Sequence, residues 1–73
     1  MERTIEIATP YIKLEALLKF AGLVGTGGES KIRILEGEVT VNGAICTQRG
    51  RKLRNGDRVT LGRETLLVSA PCE

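Results

Sequence analysis

Four cations lie within six residues in the second half of the chain: Arg49, Arg51, Lys52 and Arg54. Such side chains suit phosphate, because arginine donates a bidentate fork and lysine supplies a point charge. The segment lies between two strand-like stretches and ends in a turn signal at residues 55–57, so we expect a structured loop. The pattern predicts binding of a polyanion, most simply nucleic acid. The alternative is a strand edge guarded by charge.

The positive charge is concentrated in one part of the chain. The formal net charge is only +2. Residues 1–46 hold five Lys or Arg against six Glu, whereas residues 47–58 hold five Lys or Arg against one acid. This clustering favours a binding surface over a general contribution to solubility.

A glycine-rich segment at residues 25–29 is a second candidate site. Glycines allow backbone amides to approach phosphate at a helix N-terminus, so Thr26, Gly27 and Gly28 are candidate ligand contacts. The alternative is a tight turn before a capped helix, since Thr26 and Glu29 have the spacing of a capping box. A dinucleotide or Walker-type site is not predicted, because the segment follows a helix-like stretch and contains no Gly-Lys-Ser/Thr.

The residue types needed for catalysis or metal binding are scarce. The chain has no histidine, and its two cysteines, Cys46 and Cys72, are far apart in sequence. Neither a zinc site nor an activated nucleophile can be assembled, so we expect a non-enzymatic protein without metal or cofactor. Both thiols are predicted to be reduced and inert. A disulfide would require the last strand to place Cys72 beside Cys46.

The length and the apolar pattern limit the architecture. A chain of 73 residues fits one domain, so we expect a single domain over residues 1–73. We expect no transmembrane helix, because the longest apolar run is only a few residues, and no signal peptide. The expected location is the cytoplasm.

Two short helices are predicted. Apolar residues fall at i, i+3, i+4 and i+7 in the first: Leu14, Leu17, Leu18 and Ala21. Gly22 follows where a left-handed C-cap would end this helix. The second helix should begin after Thr26, bury Ile32 and Leu35, and end at Gly37. We expect the two helices to pack against each other.

Two cations of the second helix have different expected roles. Arg33 falls four residues after Glu29 and three before Glu36, so we expect ion pairs with these acids on a solvated face. Lys31 flanks the Ile32/Leu35 stripe. Its side chain could cover apolar surface with its stem or contact a ligand, and the pattern leaves both open.

The remaining segments predict strands, at residues 4–8, 39–41, 44–46, 58–61 and 65–69. Asn42-Gly43 joins two of them and is a strong hairpin signal, because both residues tolerate positive φ. The predicted fold is α+β, with two packed short helices followed by a small antiparallel β-sheet and an added N-terminal strand.

Aromatic residues are limited to Tyr11 and Phe20, and there is no tryptophan. Binding of splayed single-stranded bases usually requires aromatic stacking platforms, so that mode is disfavoured. Recognition of phosphate and shape on a folded RNA or a duplex remains. Phe20 is expected to serve in the core or in helix packing.

Together these residues resemble the S4 RNA-binding domain, and the match extends over about residues 12–60. The matching motifs are Lys13-Leu14-Glu15, Leu17-Leu18, Gly22, the Thr26/Glu29 cap, Lys31, Gly37, Val39, Val41-Asn42-Gly43 and Leu53-x-x-Gly56-Asp57-x-Val59. The whole chain is most similar to the small stand-alone S4-like proteins of bacteria. The resemblance implies docking on structured RNA, commonly ribosomal RNA in a ribosomal subunit or transfer RNA.

The resemblance also implies site residues. Lys13 stands where the family's usual Arg opens the first helix, and Lys31 stands where a second Arg lies on the next helix. Gly27 replaces an Arg found in many members, which shifts the electrostatic role to the cations of residues 49–54. The expected RNA-binding residues are Lys13, Thr26, Gly27, Gly28, Lys31, Arg49, Arg51, Lys52 and Arg54. The alternative function is a protein-interaction adaptor that uses the basic loop or an exposed strand edge.

Overall fold

The chain folds into two helices, a five-stranded sheet and a two-stranded sheet in the computed structural model, which describes residues 2–71. In chain order the elements are β1 (Glu2–Glu6), β2 (Tyr11–Lys13), α1 (Leu14–Phe20), α2 (Gly27–Leu35), β3 (Val39–Val41), β4 (Ala44–Ile45), β5 (Lys52–Arg54), β6 (Arg58–Leu61) and β7 (Glu64–Ser69). The predicted α+β class with two packed short helices is confirmed.

The larger sheet has the strand order β1-β7-β6-β3-β4. Its neighbours are antiparallel except for β1, which pairs parallel to β7 with Glu2 opposite Thr65. The sheet is therefore mixed, and its N-terminal strand begins two residues earlier than the predicted span of 4–8. The chain continues along β7 just beyond β1, where the Ile7 amide donates to the Ser69 carbonyl at 2.9 Å.

The second sheet was not predicted. Strands β2 and β5 pair antiparallel, with Ile12 opposite Leu53. The segment 49–54 was predicted to be a loop throughout, but its last three residues form β5. Along this strand the side chains alternate exposed, buried, exposed. Leu53 is fully buried in the core, which fixes the register of the strand.

The helices pack as a pair, but α2 turns a different face inward than predicted. Ile32 and Leu35 are 57% and 56% exposed, while Ile34 and Ser30 are fully buried. A small residue at position 30 lets α2 lie close to α1, and its Oγ donates to the Glu15 carbonyl at 2.9 Å. Phe20, predicted to serve in the core or in helix packing, is 64% exposed.

The predicted helix ends are confirmed. Gly22 follows α1 at φ +79°, and Gly37 follows α2 at φ +77°, the left-handed conformation of a C-cap. Thr26 Oγ1 accepts from the Glu29 amide at 3.1 Å. The Glu29 carboxylate in turn accepts from the Gly25 amide at 2.8 Å, so the reciprocal half of the capping box falls one residue early.

Further local predictions have mixed outcomes. The turn between β3 and β4 has positive φ at both Asn42 and Gly43, as predicted. Cys46 is a buried free thiol just after β4. Cys72 lies outside the described residues, so the predictions of a reduced thiol or a disulfide at Cys72 stay predictions. Within residues 2–71, neither helix is long and apolar enough to cross a membrane.

Candidate nucleic-acid interface

The two-stranded sheet presents a basic outer face. Ile12 and Leu53 point inward, so their neighbours along each strand point outward. The outward side chains are Tyr11, Lys13, Lys52 and Arg54, and all four are exposed. Lys13 lies opposite Lys52, and Tyr11 lies opposite Arg54. Strand pairing thus brings together cations that are about 40 residues apart in sequence.

Tyr11 organises this face. Its ring lies 4.9 Å from the Lys52 Nζ and 5.7 Å from the Arg54 Cζ, measured to the ring centroid. Both distances are within the range of cation–π attraction. No role was predicted for Tyr11 from the sequence. In both Tyr11-Ile12-Lys13 and Lys52-Leu53-Arg54, however, two polar or charged residues flank one apolar residue, a pattern that indicates strands with one exposed face.

The loop that precedes β5 is attached to the start of α1. The Leu14 amide donates to the Arg51 carbonyl at 2.9 Å, and the Glu15 amide donates to the Arg49 carbonyl at 3.1 Å. Amides at the start of a helix have no intrahelical partner, so the loop carbonyls satisfy them. The backbone of the basic loop is therefore fixed while its side chains remain exposed.

A shallow cleft of about 380 Å³ lies between the two helices and this loop. Its lining residues are Glu15, Ala16 and Lys19 from α1, Gly27, Gly28 and Lys31 from α2, and Arg49 from the loop. Four of the predicted site residues meet here. Lys19 was missed, since only the packing of the helices places it in the cleft. Glu15 was named earlier only as part of the family motif Lys13-Leu14-Glu15, and it was not a predicted site residue.

The glycines of the cleft leave room for a ligand beside the backbone. A Cβ at Gly27 would have no neighbour within 4 Å, and one at Gly28 would make only an ordinary contact with Thr26. Protein packing therefore does not require glycine at either position. Their amides belong to the first turn of α2, where backbone N–H groups lack intrahelical acceptors and favour anions.

The predicted site residues fall into four groups. Gly27, Gly28, Lys31 and Arg49 line the cleft, whereas Lys13, Lys52 and Arg54 lie on the outer face of the two-stranded sheet. Arg51 lies in the loop that joins the two. Thr26 is engaged as the helix cap through its side chain. We call the cleft, the loop and the outer sheet face together the basic surface.

Several arginines elsewhere are neutralised by acids. Arg3 lies 3.8 Å from Glu64, and Arg58 lies 2.9 Å from Glu2. Arg33 pairs with Glu29 at 3.6 Å and Glu38 at 2.8 Å, so its second partner is Glu38 and not the predicted Glu36. The hydrogen bond from Arg33 lowers the pKa of Glu38, and the same bond raises that of Arg33.

The cations of the basic surface differ from these. Arg49 approaches Glu15 only at 4.0 Å. Within residues 2–71, the other cations of this surface form no ion pair with a carboxylate: Lys13, Lys19, Lys31, Arg51, Lys52 and Arg54. In the same part of the chain, no three His, Cys, Asp or Glu residues cluster as metal ligands would.

Fold and surface together define a small α+β domain with one strongly basic face. The chain belongs to the S4 domain family, whose model matches residues 5–69. The resemblance drawn from the sequence is thereby confirmed.

Two curated relatives span nearly the whole chain. One, from Escherichia coli (strain K12), is named "Putative RNA-binding protein YbcJ" and is 36% identical over 61 residues, covering 84% of this chain and 87% of its own. The other, from Bacillus subtilis (strain 168), is named "Probable ribosome maturation protein RlbA" and is 41% identical over 61 residues, covering 84% and 86%.

A solved structure has the same fold. The solution structure of YbcJ from E. coli, described as revealing an "ALFAL" motif involved in RNA-binding, superposes with a TM-score of 0.71 at 34% identity. The match covers 92% of this chain and 86% of that one. The arrangement of two helices and a mixed sheet is thus shared with an experimentally determined relative.

Proposed function

We propose that this protein binds structured RNA through the basic surface and does not act as an enzyme. The proposal rests chiefly on one observation: six cations of this surface have no carboxylate partner within residues 2–71, whereas Arg3, Arg33 and Arg58 elsewhere are paired. Unpaired cations held on one face repel one another unless an anion lies among them. A phosphate backbone supplies such anions at regular intervals.

The geometry suits phosphate contacts better than base stacking. Lys13, Lys52 and Arg54 stand on a paired strand face whose inner residues are the buried Leu53 and the partly buried Ile12, so their positions are set by the fold. The cleft adds Lys31, Arg49 and the first amides of α2. These groups would fix the position of a folded RNA by its backbone. Tyr11, already covered by two cations, is the only aromatic residue on this surface.

The names of the relatives support the choice of RNA. One is named for RNA binding and another for ribosome maturation. We therefore propose ribosomal RNA within a ribosomal subunit or its precursor as the target, with transfer RNA as the second RNA class to test. Either target places the protein's action in the cytoplasm.

The experiment is co-sedimentation of the protein with purified bacterial ribosomal subunits and, separately, with transfer RNA, across a salt series. Four to six phosphate contacts predict a slope of about −3 to −5 in a plot of log affinity against log salt. Replacing Arg49, Arg51, Lys52 and Arg54 by Ala should weaken binding at least about tenfold. Their side chains are exposed, so the melting temperature should stay nearly unchanged.

A matched control variant removes an equal number of positive charges outside the basic surface. Its four substitutions to Ala are at Arg3, Arg33, Arg58 and Arg63. Since exposed ion pairs contribute little to stability, this variant should remain folded. It should retain most of the affinity for RNA. Equal losses in the two variants would mean that net charge alone governs binding and would contradict the proposed surface.

A protein-interaction adaptor is the second candidate, favoured by the exposed edge strand β4. Ile45 on that strand is 68% exposed, and an open edge can pair with a partner strand. Nuclease treatment separates the two functions. Association with ribosomal particles that survives complete RNA digestion would favour the adaptor, and association that is lost would favour RNA binding.

A further inference from the structure

Glu15 is the one acidic residue that lines the cleft. It lies among Lys19, Lys31 and Arg49, and its side chain is 37% exposed. A site that contacted phosphate alone would be weakened by a carboxylate, since like charges brought together repel. The position of Glu15 therefore calls for a ligand group other than phosphate.

The fold uses the backbone of Glu15 rather than its carboxylate. The amide donates to the Arg49 carbonyl at 3.1 Å, and the carbonyl accepts from Ser30 Oγ at 2.9 Å. Among residues 2–71, the carboxylate forms an ion pair only with Arg49, and its Oε2 lies 4.0 Å from Nε, which is too long for a hydrogen bond. Its oxygens are therefore available as acceptors at the mouth of the cleft.

An ionised carboxylate can only accept hydrogen bonds, so its partner must be a donor. RNA carries such a donor next to every phosphate, namely the ribose 2′-hydroxyl, and DNA lacks it. Hydrogen bonds from a hydroxyl to a carboxylate are short and strong. The cleft volume of about 380 Å³ lies in the range of small-ligand sites, which is enough for one nucleotide unit.

We propose that Glu15 accepts a hydrogen bond from a ribose 2′-hydroxyl while Lys31 and Arg49 hold a neighbouring phosphate, so that the cleft selects RNA over DNA. This inference rests on the proposed function and deepens it. The cations of the basic surface supply affinity for any polyanion, and Glu15 supplies the chemical discrimination. A DNA strand in the same place would leave the carboxylate facing phosphate without a compensating donor.

The test compares two hairpins of one sequence by fluorescence anisotropy at low salt. One is unmodified RNA and the other carries 2′-fluoro groups, which preserve the A-form helix but donate no hydrogen bond. The wild type should bind the unmodified hairpin about tenfold more tightly, as expected for a hydrogen bond to a charged group. In Glu15→Ala the two affinities should agree within about twofold, and the fluoro hairpin should bind at least as well as to wild type because the repulsive charge is gone.

Two control variants separate recognition from positioning. Arg49→Ala should weaken both hairpins by the same factor, because it removes a phosphate contact. Glu15→Gln retains an acceptor oxygen without the charge, so it should keep part of the preference for the unmodified hairpin. If Glu15→Ala weakened both hairpins equally, Glu15 would serve only to orient Arg49 and the inference would be wrong.

The outcomes for wild type separate the inference from the proposed function. Equal binding of both hairpins by wild type would overturn the role of Glu15 while leaving RNA binding intact. Absence of binding to either hairpin at low salt, together with no binding to ribosomal subunits, would contradict the proposed function itself.

Discussion

Lys13 lies directly opposite Lys52 across the two-stranded sheet, on the side away from the core. Like charges at facing positions destabilise a sheet by a few tenths of a kcal/mol. The ring of Tyr11 attracts the Lys52 ammonium at 4.9 Å, whereas the Lys13 ammonium forms no ion pair or ring contact within residues 2–71. The arrangement is unfavourable in the free protein and favourable once a phosphate lies between the two lysines.

Stability and RNA affinity should therefore respond in opposite directions to Lys13→Gln. The melting temperature should stay constant or rise slightly, since the repulsion from Lys52 is removed. Affinity for structured RNA should fall severalfold, and the salt slope should become shallower by about 1, the signature of one lost phosphate contact. Thermal melts and anisotropy titrations at three salt concentrations measure both. An unchanged salt slope would remove Lys13 from the interface.

A pair of alanine variants tests which face of each helix is buried. Leu17→Ala should reduce the free energy of unfolding by about 2–4 kcal/mol, because Leu17 is fully buried and its truncation leaves a cavity. Ile32→Ala should change it by less than about 0.5 kcal/mol, because Ile32 is 57% exposed. Urea denaturation distinguishes the two. A large effect at Ile32 would mean that a partner chain or another packing covers that face.

Gly27→Ala should make the protein more stable and a weaker RNA binder. A methyl group at Gly27 meets no atom within 4 Å, and loss of a glycine stabilises the folded state by about 0.4–1 kcal/mol through the unfolded chain. The same methyl group would enter the cleft at the α2 amides that we propose contact RNA. Ile32→Ala, on the same helix but outside the cleft, is the control for binding. If Gly27→Ala bound RNA as wild type does, the α2 amides would lie outside the interface.

The Arg33–Glu38 ion pair should contribute to stability only above the acid range. The hydrogen bond from Arg33 lowers the pKa of Glu38 below its ordinary 4.5 in the folded state. The contribution is thus present above pH 4.5 and is lost as the pH falls through the lowered pKa. Glu38→Gln should melt below wild type at pH 7, and the difference should shrink as the pH falls through the lowered pKa of Glu38. A difference in melting temperature that widened in acid would contradict this role of the ion pair. RNA affinity at pH 7 should be unaffected, because Glu38 lies outside the basic surface.

Local chemistry made several features predictable. Gly22 and Gly37 end their helices, and Thr26 caps α2, because these effects involve only nearby residues. Asn42-Gly43 specifies its hairpin for the same reason. The density of cations at residues 49–54 likewise identified a basic segment without knowledge of the fold.

Long-range packing decided what the sequence could not predict. The second helix has apolar residues on two sides, and the approach of Ser30 to the α1 backbone selects the side with Ile34 for burial. Strand β2 is three residues long and exists through its pairing with β5, which is distant in sequence. Lys19 reaches the cleft for a similar reason, since its place depends on how α1 meets α2.

A map of the RNA contact on the protein would test most directly whether the basic surface binds RNA. Amide resonances of ¹⁵N-labelled protein would be followed by NMR during titration with a ribosomal RNA fragment that binds in sedimentation. RNA binding through the basic surface predicts the largest shifts around Lys13, Gly27, Lys31 and residues 49–54. Shifts concentrated instead along the edge strand β4, around Ile45, would contradict it.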